Sequence, residues 1–336
     1  MLKASKYRVI LLFATLVACT PEERDFGTGG GGGAGGPGGQ GGQGGAAGGG
    51  DTIETACDSY AYDVCQRFQD CSPASIQGSF GDFETCHTRY TLFCKGLLEA
   101  EGTGWTPSQM KACAESYSSL DCNLYLAQPF RSTDAQTPTA CIPPKGSRPD
   151  GAGCLDHGQC QSGHCHRTGF SLCGSCGAPG GAGAPCGANL DCEGGLVCLA
   201  GNCVVAGEAG DTCVEGQEPC NVPWTCLNGT CAKPGILDDA CGTDLPPCNF
   251  LKGLYCDTVN SKQCKNAAFA QPGQACQNPD MLVLCEGGGM CVQASGSCVA
   301  PSPEGGECSP VKGPGCMAPA GCLNGTCVIA NSTFCP

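Results

Sequence analysis

Thirty-five cysteines in 336 residues constrain this chain more than any other feature. Cysteine at more than a tenth of the chain, with aromatics at only 6%, marks a scaffold held by crosslinks rather than one large apolar core. Parity sharpens the point. One cysteine, Cys19, stands alone behind a short apolar run, and setting it aside leaves an even 34 for pairing.

The run ahead of Cys19 has the layout of a processing segment. Lys3, Lys6 and Arg8 make a positive start, Val9 to Ala14 an apolar stretch, and Leu16-Val17-Ala18-Cys19 a lipobox, where a bacterial lipoprotein precursor is cut and its new N-terminal cysteine acylated. Residues 1–18 are too short to span a bilayer as a helix. A plain secretory signal cut near Ala18 is the competing reading. Acylation, palmitate included, would add about 0.8 kcal/mol per buried methylene, and several chains together anchor stably. By resemblance to other bacterial lipoproteins, Thr20 in place of Asp leans towards the outer membrane. The expected location is the bacterial cell envelope, an oxidising compartment, with the lipid bilayer as one partner.

Removing residues 1–18 takes three bases from the 17 and leaves 14 against 31 acids, a net charge near −17. The acids are scattered. Nucleic acid is therefore not an expected partner, since phosphate binding needs a basic footprint. Residues 27–50 hold 17 glycines and can bury nothing. The stretch 19–50 is expected to be a disordered tether; its glycine-rich part would have an r.m.s. span of about 25–30 Å.

Residues 51–141 change character. Cysteines fall in pairs eight or nine apart: Cys57 and Cys65, Cys86 and Cys94, Cys113 and Cys122. Eight residues is a little over two helical turns, so both thiols of a pair share a face. Tyr60, Ala61, Val64 and Phe68 share the first face. Phe83, Tyr90, Leu97 and Leu98 share the second, and Met110, Ala114, Tyr117 and Leu120 the third. Thr106 is the expected N-cap of the third segment, with Pro107 in its first turn and Gln109 completing a capping box. Three short stapled helices are predicted. A hairpin joining Cys57 to Cys94 and Cys65 to Cys86 suits the spacing, leaving Cys71 and Cys141 to close the ends.

From residue 154 the chain repeats a unit of Gly-x-x-Cys followed by three more cysteines. The cleanest copies are Cys186, Cys192, Cys198, Cys203, then Cys213, Cys220, Cys226, Cys231, then Cys308, Cys316, Cys322, Cys327. Looser copies are Cys241, Cys248, Cys256, Cys264 and Cys276, Cys285, Cys291, Cys298. The first copy reads Cys154, Cys160, Cys165, Cys173, with Cys176 extra, and Cys335 stands near the end. First cysteines lie 27 to 35 residues apart. Units this small cannot fold on apolar burial alone, so crosslinks worth about 2–4 kcal/mol each must hold them. The last two cysteines of a unit bracket a hairpin. Asn228-Gly229 and Asn324-Gly325 sit where a type I′ turn needs positive φ. Asn228, Asn324 and Asn331 also head N-x-Ser/Thr sequons, and in a bacterial lipoprotein the turn reading is preferred to glycosylation.

Residues 154–203 resemble the N-terminal cysteine-rich domain of the Dickkopf family. The residues that carry this are Cys154, Cys160, Cys165, Cys173-Gly-Ser-Cys176, Cys186, Asp191-Cys192, Cys198 and Cys203. A single Cys192 stands where that family has a doublet. Nine cysteines cannot close on themselves, so one bond must leave the segment, with Cys141 or Cys335 as partner. The resemblance covers about 50 residues and bears on fold, not on Wnt antagonism. The layout as a whole is similar to cysteine-rich surface lipoproteins of predatory and soil-dwelling Gram-negative bacteria.

Three histidines, His157, His164 and His166, lie among Cys154, Cys160 and Cys165. That is metal-ligand composition, but the same cysteines repeat the pattern of copies without histidine, and a sulfur in a disulfide does not ligate zinc as a thiolate. No metal and no cofactor are expected, and a weak histidine-only site is the subsidiary reading. Cys173-Gly-Ser-Cys176 has redox-pair spacing without the βαβ setting that lowers a thiol pKa. No metalloprotease, nucleophile-elbow, P-loop or EF-hand signature occurs, so no catalytic residue and no enzyme are expected. The fold class expected is small and disulfide-rich: 1–18 signal peptide, 19–50 tether, 51–141 stapled helical domain, 150–203 Dickkopf-like region, and 204–336 tandem loop and hairpin modules forming an elongated row. The functional expectation is a binding or adhesion module that meets an unidentified protein or glycan at the cell surface. A structural envelope component is the alternative, and metal or thiol-redox chemistry the least favoured.

Overall fold

The computed structural model describes residues 51–127, 137–167, 173–187, 191–214, 219–309, 313–329 and 335. The expected leader, Cys19, the expected glycine tether and the Asn331 sequon lie outside the described residues. All 34 cysteines from Cys57 onwards are bridged, in 17 disulfides. The chain is a small disulfide-rich fold: a stapled helical domain followed by hairpin modules.

The helical domain holds α1 (Ile53–Cys71), α2 (Pro73–Ser79), α3 (Phe83–Leu98), α4 (Pro107–Tyr117) and α5 (Cys122–Ala127). Side-chain caps start the first four. Thr52, Ser72, Asp82 and Thr106 each accept from the backbone N–H three residues on. Gln109 does not close a capping box on Thr106; its Nε2 reaches the Ile142 carbonyl at 3.4 Å. Cys57–Cys94 and Cys65–Cys86 clamp α1 to α3, as the spacing suggested.

Two features depart from three helices. Ser72 ends α1 and caps α2 in one step, adding a short helix. Cys113 and Cys122 do not share a helix, because α4 stops at Tyr117 and the Asp121 carboxylate accepts from Asn123 N at 2.8 Å at the start of α5. Cys122 instead ties α5 to the end of α1 through Cys71, and Cys113 bonds Cys141. The core between the helices is Tyr60, Val64, Leu98, Trp105, Met110 and Ala114. Phe68 sits edge-on to Tyr125 at 5.0 Å, and the Tyr125 hydroxyl donates to Val64 O at 2.8 Å.

Six modules follow, all bonded first cysteine to third and second to fourth. The first comprises β1 (Gly153–Cys154), β2 (Cys165–His166) and β3 (Gly174–Cys176), with bonds Cys154–Cys165 and Cys160–Cys176. The second has hairpin β4 (Leu196–Leu199) and β5 (Asn202–Val205), the third β6 (Thr225–Leu227) and β7 (Thr230–Ala232). The fourth has β8 (Leu254–Cys256) and β9 (Cys264–Asn266). In the fifth, β10 (Ala268–Ala270) runs parallel to β11 (Val283–Cys285), and β12 (Met290–Val292) pairs β13 (Ser297–Val299). The sixth closes on β14 (Gly321–Leu323) and β15 (Thr326–Val328).

The bonding pattern follows from register. In every module the third and fourth cysteines are directly opposite across an antiparallel pair, as with Cys226 and Cys231 or Cys322 and Cys327. Opposed residues project from one face of a ribbon, so both sulfurs meet the two cysteines of the preceding loop. The same register corrects the first copy. Cys165 lies opposite Cys176, so Cys176 is the fourth cysteine and Cys173 the extra one. The predicted turns are present: Asn228 and Gly229 have φ of 51° and 80°, Asn324 and Gly325 51° and 79°.

The Gly-x-x-Cys signature has its own role. The residue three before the first cysteine donates its N–H to the carbonyl of the fourth, Gly210 to Cys231 and Gly305 to Cys327 each at 2.8 Å. It does so with positive φ, and in the fourth module Asp238 takes that place at 67°.

The modules do not form an elongated row. They coil back over the helical domain. Trp105 Nε1 donates to Asp156 of the first module at 2.8 Å, and Ser75 Oγ to Leu251 O of the fourth at 3.1 Å. Gln77 Nε2 donates to Glu286 of the fifth at 2.7 Å, and Arg89 to Met317 O of the sixth at 2.8 Å. Leu251 and Val222 join Tyr125 and Leu126 in one apolar cluster. Cys173–Cys335, spanning 162 residues, then fastens the end of the chain to the first module. Cys335, not Cys141, is the partner outside the segment.

Candidate functional site

The three clustered histidines are brought into contact. Asp156 caps the 3-10 turn His157–Gln159, and its Oδ1 accepts from Gly158 N at 2.7 Å, which fixes His157 at the start of that turn. His164 sits in the loop leading into β2, and His166 on β2 itself. The His164 ring lies between the other two, with centroids 4.7 Å from His157 and 4.5 Å from His166.

Hydrogen bonds fix how each imidazole is presented. His157 Nδ1 accepts from Cys165 N at 3.0 Å, so its proton is on Nε2. His166 Nε2 meets the Ala178 carbonyl at 2.6 Å. A carbonyl only accepts, so Nε2 carries the proton there and Nδ1 keeps a lone pair in the neutral ring. His166 Nδ1 lies 4.0 Å from Asp191 Oδ1. Asp191 comes from the second module and is buried; it also accepts from Gly187 N at 2.7 Å and Arg167 N at 3.2 Å. His164 is buried, and its Nε2 has no hydrogen-bond partner. Burial, then the two neighbouring imidazoles, push its pKa down to about 4. Burial also lowers His157. Both shifts favour the neutral imidazole. The fourth histidine, His87, is elsewhere, 3.2 Å from Asp58 on the helical domain.

Sequence reasoning named the three histidines but gave Asp191 no role beside them. The signal was faint: a lone acid before Cys192, whose relation to His166 appears only once two modules abut. Cysteine triads such as Cys154, Cys160 and Cys176 bring sulfurs within 4.8 Å, but each is in a disulfide and offers no thiolate. Cys173 and Cys176 are bonded to Cys335 and Cys160, not to each other, so the spacing of a redox pair has no pair behind it.

A second feature is an open cleft of about 290 Å³ between α1 and α4, lined by Asp63, Gln66, Arg67, Asp70, Ala114, Glu115 and Ser118. Burial and the Glu115 charge raise the Asp63 pKa. Arg67 donates to the Leu120 carbonyl from this wall.

No family model, curated protein or solved structure matches the chain. The likeness to the Dickkopf domain therefore rests on cysteine spacing alone.

Proposed function

We propose that this chain is a lipid-anchored envelope protein acting as a binding or adhesion module, with Cys19 as the acylated residue, an outer-membrane location, and no catalytic role. The observation that carries the reading is the placement of exposed apolar side chains. Among the described residues, seven of the twelve large exposed hydrophobics fall between Val205 and Val259, and those two are 67% and 71% exposed. They stand on the short strands, turns and loops of disulfide-locked modules, so little ordering entropy opposes their use in binding a protein or glycan. A contiguous apolar patch on a rigid frame marks an interaction site, and these side chains are the candidates to form one.

The test is capture from envelope, prey-cell or matrix material by the mature chain and by a triple variant, Val205→Asp, Ile236→Asp and Val259→Asp. A partner held by the first and lost by the second is expected. Recovery of nothing by the native chain would sink the reading. Intact mass of membrane-extracted protein tests the anchor: acyl mass on Cys19 is expected, and an unmodified mature N-terminus refutes it. The density of crosslinks favours a second reading, a protease-resistant structural component with no specific ligand. Deletion that alters envelope permeability without an adhesion defect would select it.

A further inference from the structure

We propose that His164 Nε2, His166 Nδ1 and the Asp191 carboxylate hold a borderline divalent transition-metal ion of the zinc class, at the seam between the first and second modules. The inference does not depend on the binding role above.

Three observations converge. First, His166 is presented as metal-bound histidines are, its far ring N–H given to the Ala178 carbonyl and its near nitrogen left with a lone pair. Second, that nitrogen faces a buried carboxylate oxygen at 4.0 Å. A ring lone pair and a carboxylate oxygen turned towards each other are both donors to a shared cation. Third, the adjoining His164 ring is buried with an orphaned Nε2, a polar atom that costs about 1–3 kcal/mol unpaired. One ion held between the adjoining rings and the carboxylate would give all three a partner. Two imidazoles and a carboxylate are a borderline-metal donor set, which selects against calcium and magnesium.

The remaining histidine is excluded by its own hydrogen bond. His157 Nδ1 accepts the Cys165 N–H, and moving its proton to free Nε2 would set two N–H groups against each other. Closure around the ion requires a small approach. Ligand atoms on a tetrahedral zinc are about 3.4 Å apart, so the His166–Asp191 gap must shorten by roughly 0.6 Å. The His166 side chain is 32% exposed and has room to move. A proton is the competing occupant of the gap and would make His166 an imidazolium paired with Asp191, which also feels the Arg167 charge.

The experiment is zinc titration of the fully oxidised mature chain by calorimetry, with imidazole nitrogen NMR at neutral pH. One equivalent of zinc is expected, with shifts at His166 Nδ1 and His164 Nε2. His166→Gln should weaken binding more than about 10-fold, and His157→Gln should leave it within a few-fold. His166 is half-exposed, so its variant keeps the fold, and an unchanged disulfide map verifies that. No heat, equal loss in both variants, or a His166 ring protonated on both nitrogens and indifferent to zinc would each overturn the proposal.

Discussion

Removing the Cys173–Cys335 bridge should cost more stability than removing any bridge inside a module. The bridge spans 162 residues, while module bridges such as Cys316–Cys327 span 11. A crosslink acts mainly by restricting the unfolded chain, and the restriction grows with the logarithm of the loop. Ten further bridges nest inside the large loop and shorten its shortest path to roughly 100 residues, which still gives about 4.7 kcal/mol against about 2.8 for an 11-residue loop. Burial is matched in the two pairs, since Cys335 and Cys327 are each 1% exposed and their partners half-buried. The comparison is therefore Cys173→Ala with Cys335→Ala against Cys316→Ala with Cys327→Ala, each double variant leaving no free thiol. Guanidinium unfolding of the oxidised chains is the assay. The first variant should lose about 2 kcal/mol more than the second, while hydrogen exchange inside the modules stays slow. An equal or smaller loss would refute the reasoning, and would mean that the helical hub already confines the chain ends without a covalent tie.

Other outcomes follow from single contacts. Gly207→Ala places a Cβ 2.8 Å from Cys231 Sγ and 3.1 Å from Asp211 Cβ, and overpacking of that kind costs about 1–3 kcal/mol, read as a lower Tm. Gly210→Ala meets no atom within 4 Å and pays only for its φ of 90°, so a melting loss in the third module as large as that of Gly207→Ala would count against the packing argument. Arg89→Ala removes the buried guanidinium that binds Glu304, Met317 O and Ala318 O; a loss of about 3 kcal/mol is expected, with faster exchange in residues 313–329 while both bridges of that module persist. Burial raises Tyr117 to about 12 and pushes Tyr60, Tyr90 and Tyr125 well above the usual tyrosine range too. The unfolded chain ionises near pH 10, so this stabilisation is complete below that pH and is lost as pH climbs through 12. Tyrosinate absorbance should therefore appear together with unfolding, and early absorbance with the fold intact would contradict the burial.

Much of the local structure could be read in advance, for a local reason. A pair of cysteines eight apart amid apolar residues, as in Cys57 and Cys65, admits a helix because 3.6-residue geometry puts both on one face. Asn-Gly between two cysteines admits a tight hairpin because few residues accept positive φ. The same logic failed where a short break interrupts a period, as between Tyr117 and Cys122. The bracketing cysteines placed the β4–β5 hairpin, but its turn residues Ala200-Gly201, with φ of 49° and 84°, carry no Asn-Gly signal. In the candidate site, clustering named the histidines, and only contact between modules brought Asp191 to them.

Spacing and parity in the sequence determined that the chain is crosslinked throughout, that it divides into a helical segment and six short units, and where most of the hairpins turn. These are properties of neighbours along the chain, and φ preferences and side-chain periodicity act at that range. Within the modules, only the folded structure decided which sulfurs join. Four cysteines admit three pairings, and strand register chose first-to-third and second-to-fourth by setting the last two side by side on one face. It made Cys173 rather than Cys176 the extra cysteine, carried that residue to Cys335, and folded the expected row of modules back onto a helical hub. Such choices depend on which surfaces meet in space, and contacts between residues more than a hundred positions apart leave no period in a sequence.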